Sequence, residues 1–269
     1  MRLLFFISTV LFLTLPARAS FDPFVGRKPL VVLIEQSPWV KLVNWDTPRV
    51  AIYDDGEVIF WQGSEEDGSY QVARLSSFEL ESLKKKLGDL SAISAKQKYV
   101  LSASKNKTNT QIYIESGNQS SAINGYGIEC DHVPARKYDE AENYPPVQFF
   151  QIHSLLCQFK PESSQLWAPE YIEVVLWDNP DATEKSIYWP EEWPNLNSDR
   201  ALFQYNRWSL FLNWSDASKL FVFLETRPEK GAIQIDGKKW MASVRYTFPS
   251  EPVWRQALWA RPDETQVQK

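Results

Sequence analysis

The chain has 269 residues, of which 43% are hydrophobic and 23% charged, and a formal net charge of −5. Such a composition is globular rather than disordered. A net acidic chain also lacks the clustered Lys and Arg with which a nucleic-acid binder displaces counterions, and its one dense basic run, Lys84-Lys85-Lys86, reads as the solvated face of a helix.

Met1-Arg2, an apolar run from Leu3 to Leu15 and the ending Pro16-Ala17-Arg18-Ala19-Ser20 open the sequence. A positive start, a short apolar stretch and a small-x-small ending are the features of a secretory signal, with cleavage expected after Ala19. The apolar run of about 13 residues rises only ~20 Å, too little for a hydrocarbon core of ~30 Å. Cleavage removes Arg2 and Arg18, which moves the formal charge from −5 to −7. No later stretch approaches the roughly 18 uninterrupted apolar residues of a spanning helix, so no membrane span is expected in the mature chain. The localisation this predicts is secreted or periplasmic.

In chain order, Leu30 to Ile34 reads as a buried strand, and Arg49–Tyr53 and Glu57–Gln62 flank Asp54-Asp55-Gly56 as a hairpin. Tyr70 to Leu75 adds a strand. Ser76 and Glu79 match a capping box ahead of a helix whose apolar face is expected to hold Phe78, Leu80, Leu83, Leu87 and Leu90. Further strands are expected at 99–103, 111–115 and 120–124, ended by Gly125-Tyr126-Gly127, then a helix from Pro146 to Phe159. Pro161-Glu162-Ser163-Ser164 reads as a linker. Beyond it come strands at 171–177 and 207–214, a helix capped by Ser215-Asp216, an Asp236-Gly237 turn within 232–240, and a last short helix after Pro249 that includes Glu251 and Trp254.

The fold class predicted is α+β, with antiparallel hairpins and interposed helices in two similar halves, although no residue-level repeat relates them. The units expected are a signal at 1–19, an α+β domain at 20–160, a Trp-rich α+β domain at 165–261 and a disordered tail at 262–269.

The string from Arg49 to Leu87, with its Asp-Gly turn and the segment RLSSFELESLKKKL, resembles a small domain of unknown function found in exported bacterial proteins. Thr108 to Ile114 with Gly125-Tyr126-Gly127 is similar to the part of that domain C-terminal to its helix. The resemblance covers roughly residues 48–160 and implies the architecture, with no activity attached to it.

The chain's two Cys and two His all lie between Cys130 and Cys157. His153 and Cys157 are four apart and share a helical face, so with Cys130 and His132 they offer four zinc-type ligands. The alternative is a Cys130–Cys157 disulfide, which an oxidising compartment favours and which is the preferred reading. Twelve Trp are present, nine of them from Trp167 onward. Most are expected in the core. The densest patch, Trp189 to Pro194, is the expected exception, and its Trp189, Glu191, Glu192 and Trp193 are candidate glycan or partner contacts. Asp54-Asp55 and Asp178-Asn179-Pro180-Asp181 read as turns. No G-x-S-x-G, G-x-x-x-x-G-K-[ST], H-E-x-x-H or G-x-G-x-x-G motif occurs.

The sequence therefore predicts an exported, non-enzymatic binding or structural protein of the bacterial envelope or periplasm. It implies no cofactor and no catalytic residue, and its partner is an unidentified protein or glycan. Two alternatives stand beside this: a metal-binding protein or enzyme centred on Cys130, His132, His153 and Cys157, and a glycan binder acting through exposed Trp.

Overall fold

The computed structural model describes residues 21–36, 46–64, 68–88, 98–101, 106–116, 119–130, 145–204 and 206–259. The expected signal, Leu90, His132 and the tail lie outside these residues. The protein is α+β and mostly sheet, with two mixed sheets and four α-helices among the described residues.

The first sheet is built from β1 (Pro29–Gln36), β2 (Pro48–Tyr53), β3 (Glu57–Gln62), β4 (Ser69–Arg74), β5 (Lys98–Val100), β6 (Asn109–Ser116), β7 (Gln119–Tyr126) and β8 (Gln165–Leu166). Its order is β5-β7-β6-β1-β2-β3-β4-β8, antiparallel except where β5 meets β7. The hydrophobic run read as a buried strand is β1, at the middle of the sheet and covered on both faces. The β2–β3 hairpin turns on Asp54-Asp55-Gly56. Gly56 donates its N–H to Tyr53 O at 3.0 Å and sits at φ 86°, where a Cβ would be strained.

Helix α1 (Ser77–Gly88) starts on the expected capping box. Glu79 Oε2 accepts from the Ser76 N–H at 2.8 Å, and the Glu79 N–H donates to Ser76 Oγ at 3.3 Å. Leu80, Leu83 and Leu87 are buried, but Phe78 is 84% exposed and does not join them. Two residues before Leu80 is a rotation of about 200° on a helix, which turns Phe78 away from that face. Helix α2 (Val147–Cys157) buries Phe149, Ile152, His153 and Leu156. Together α1 and α2 cover the face of β1 that carries Val31 and Leu33.

The expected linker leads into β8, whose Gln165 and Leu166 pair with Val72 and Gln71 of β4, so the first sheet gains an edge strand that hydrophobic patterning did not disclose. The second sheet comprises β9 (Tyr171–Asp178), β10 (Ile187–Tyr188), β11 (Ala201–Gln204), β12 (Arg207–Asn213), β13 (Ile233–Ile235) and β14 (Lys238–Tyr246). Its order is β10-β13-β14-β9-β12-β11, parallel only between β10 and β13. The two-residue turn between β13 and β14 puts Asp236 at φ 49° and Gly237 at φ 76°, the backbone that an Asp-Gly pair supplies.

Helix α3 (Ala217–Glu225) follows a single 3-10 turn, Trp214–Asp216. No side-chain cap forms there: Asp216 has helical backbone angles, φ −96° and ψ −1°, and its carboxylate lies 3.2 Å from Lys219 Nζ. α3 lies over the face of the second sheet that holds Ile172, Val174, Leu210 and Val244.

The last helix, α4 (Glu251–Trp259), packs against the face of the first sheet opposite α1 and α2. Its Trp254 and Leu258 join Val32, Ile34, Ala51, Tyr53 and Tyr113 in one cluster, with Phe248 beside them. No helix among the described residues is long and apolar enough to cross a membrane. Trp254 is fully buried, so Trp254→Ala is expected to cost about 3–5 kcal/mol, read as a lower denaturant midpoint.

Candidate functional site

Two groups of polar side chains are held by the fold away from solvent. The first contains Cys130, His153 and Cys157, three of the four Cys and His residues that the sequence singles out. Cys130 lies just after β7, and His153 and Cys157 stand one helical turn apart on α2. The two sulfurs form a disulfide, with Cα atoms 5.2 Å apart. While that bond is intact neither sulfur is a thiolate, so the four-ligand metal reading does not apply to the oxidised chain. His132, its fourth member, lies outside the described residues.

His153 is 1% exposed and its ring nitrogens lie 3.4 and 3.7 Å from Cys157 Sγ. Glu35, at the end of β1, completes the group. Its Oε1 accepts from the Cys130 N–H at 2.6 Å and lies 4.0 Å from His153 Nε2, and its Oε2 accepts from Arg49 Nη1 at 3.0 Å. Burial alone would raise the Glu35 carboxyl. The neighbouring His153 imidazole, the charge of Arg49 and the hydrogen bond from the Cys130 N–H outweigh burial and hold it below its ordinary value. Sequence reasoning missed Glu35 because it looked like the polar end of a buried strand. The signal was there all the same, in a single carboxylate closing an otherwise apolar run.

The second group joins the two sheets. Arg245 of β14 and Arg255 of α4 share Asp46, at 3.2 and 2.8 Å, and Arg245 Nε lies 2.8 Å from Glu173 Oε2 on β9. Both arginines also pair with Glu251 Oε1. Ser209 Oγ donates to Glu173 at 2.5 Å, and the Arg255 guanidinium lies 4.7 Å from the Trp254 ring centroid. Burial would raise Asp46, but the two guanidinium charges and the hydrogen bond from Arg255 outweigh it and keep the carboxyl lowered. Arg245 is lowered first by burial and then by Arg255, against the opposing pull of Glu173 and Asp46. A cavity of about 200 Å³ opens beside this group, lined in part by Arg207, Gln204 and Phe24. Periodicity places Glu251, Trp254 and Arg255 on one helical face, but only the fold shows that Asp46 meets Arg255 from 209 residues away.

The expected exposure of Trp189 and Trp193 is corrected by the structure. Trp189 and Trp193 are each 8% exposed and pack edge-to-face with one another and with Phe223, so their ring faces are taken by core neighbours. Trp189 Nε1 donates to Pro194 O at 2.9 Å, which satisfies the indole within its own segment. Glu191 and Glu192 are exposed. Glu192 and Trp193 also edge an open groove of about 370 Å³, with Ser198, Asp199, Arg200, Asn213 and Asp216 on its other sides.

These geometries make two predictions. Replacing both Cys130 and Cys157 by Ser is expected to cost about 2–4 kcal/mol, measured by urea unfolding against the oxidised parent. Asp46 is a group whose folded pKa is lowered, so its contribution is present above its unfolded value of about 3.9 and is lost as pH falls through the folded value. The parent's stability should therefore drop below about pH 4, and Asp46→Asn should be less stable at neutral pH with a shallower acid slope.

No family model, curated protein or solved structure matches the chain.

Proposed function

We propose that the chain works outside the reducing cytoplasm, in the bacterial envelope or periplasm, as a disulfide-tied protein that acts by binding or structural support and not by catalysis. The observation that carries this reading is the Cys130–Cys157 bridge. Disulfides persist in oxidising compartments and are rare in the cytosol, and closing a loop of this length is worth about 3.6 kcal/mol in the chain-entropy model. The signal-like first nineteen residues agree with it, as does the resemblance of residues 48–160 to an exported domain. The acids and bases placed closest to an active-site arrangement are already engaged with one another: Glu35 with Arg49 and the Cys130 N–H, and Asp46 and Glu251 with two arginines.

The test is to express the full chain in a bacterium, fractionate the cells and record the intact mass. The expected product is found outside the cytoplasm, begins at Ser20 and weighs two hydrogens less than its reduced form. A full-length chain retained in the cytoplasm with both thiols free would overturn the export reading. Turnover of an envelope polymer by the pure protein, lost in a site variant, would overturn the non-catalytic one.

The groove beside Glu192 and Trp193 favours a second reading, in which the ligand is a glycan. Its lining offers carboxylates, an amide and a guanidinium to hydroxyl groups, and the Trp193 edge supplies an apolar margin. Soluble peptidoglycan fragments are the probe. Asn213→Ala and Glu192→Gln are each expected to weaken their binding about tenfold, and binding untouched by both substitutions would remove the groove from consideration.

A further inference from the structure

Glu35, Cys130, His153 and Cys157 each bring one potential ligand atom within 4.8 Å of the other three. We propose that they form a redox-gated site for a divalent transition metal of the zinc class, closed while the Cys130–Cys157 bridge is intact and opened when a dithiol reductant cleaves it. This goes beyond the binding or structural role above and does not depend on it.

Two thiolates, an imidazole and a carboxylate make a mixed S, N and O set that suits zinc-class ions. A tetrahedral ion with bonds of about 2.1 Å to N or O and 2.3 Å to S needs ligand atoms roughly 3.4–3.8 Å apart. His153 Nε2 already stands 3.4 Å from Cys157 Sγ and 4.0 Å from Glu35 Oε1. The two sulfurs are bonded to each other in the oxidised chain, and reduction frees them to separate.

The other ligands are positioned in advance. Arg49 holds Glu35 Oε2 at 3.0 Å, which leaves Oε1 on the side of His153. The His153 ring is 1% exposed and stacks on Phe149, with centroids 6.2 Å apart and planes 12° from parallel. Such outer contacts fix ligand orientation before an ion arrives. Because the same two cysteines serve in both states, the tie between the end of β7 and α2 persists when a covalent link is exchanged for a metal link.

The chemistry balances. The dithiol is oxidised to its own disulfide and supplies two electrons and two protons, which convert the Cys130–Cys157 bond into two thiols. Binding of the divalent ion then releases those two protons as two sulfur–metal bonds form.

The experiment takes the whole purified chain in two portions, one oxidised and one reduced by a phosphine without oxygen, and titrates each with Co²⁺. The reduced protein is expected to take up one ion per chain, to show the intense visible absorption of tetrahedral thiolate-bound cobalt and to release two protons per ion. The oxidised protein should do none of these. His153→Ala and Glu35→Gln are each expected to weaken uptake about tenfold or more, with circular dichroism checking the fold. If His153→Ala does not fold, the near-isosteric Glu35→Gln decides. Absence of the tetrahedral spectrum in the reduced chain, equal uptake by both redox forms, or undiminished affinity in a folded variant would overturn the proposal.

Discussion

Helix α4 is the member on which the arrangement of the two sheets depends, and its role rests on the four side chains of one face. Trp254 and Leu258 supply the apolar cover for β1, β2 and β6, while Glu251 and Arg255 enter the charge cluster with Asp46 and Arg245. Ion pairs this deeply buried are weak sources of net stability, because desolvation offsets most of their attraction. They are exacting about geometry, since removing one partner strands the others in a medium that cannot solvate them. The apolar half of α4 supplies the stabilisation, and the polar half fixes where the helix sits relative to β9 and β14.

The N-terminal stretch reinforces the same junction. Ser250 donates its N–H to Phe24 O at 2.7 Å, and Phe21 and Phe24 pack against Phe211 of β12. Residues 21–24 and the segment leading into α4 therefore meet beside the second sheet, while the cluster at Glu35 and the cysteines lies by α2, on the face of the first sheet remote from α4.

Much of this is legible in the sequence where local chemistry decides the outcome. The Asp-Gly turns, the Ser76–Glu79 box, most of the long strands and the helices α2 and α4 depend on neighbours within a few residues, and residue patterns disclose them. Three strands that the sequence reading does not include, β8, β10 and β11, have two to four residues each and carry no periodic signal. They are strands because of what lies beside them. The site divides the same way. His153 and Cys157 can be placed on one face from their spacing, whereas Glu35 and Asp46 are defined by partners 95 and 209 residues away. The density of Trp around position 190 suggests an exposed surface, yet two short strands and a nine-residue helix leave gaps that large rings fill, and Trp189 and Trp193 are drawn inward.

The link between Asp46 and Arg255 also sets an order of events during synthesis. A chain that emerges or is translocated from its N-terminus can pair β1 with β2 and β6 and cover one face with α1 and α2 long before its last residues appear. The opposite face, with Val32, Ile34 and Tyr53, has no lid until Trp254 arrives. Throughout that interval the nascent first sheet exposes a stripe of apolar side chains and an unneutralised acid at Asp46. Completion of the earliest-made part of the molecule thus waits on the latest-made part, and the time taken to finish the chain becomes the time for which that surface must be shielded from its neighbours.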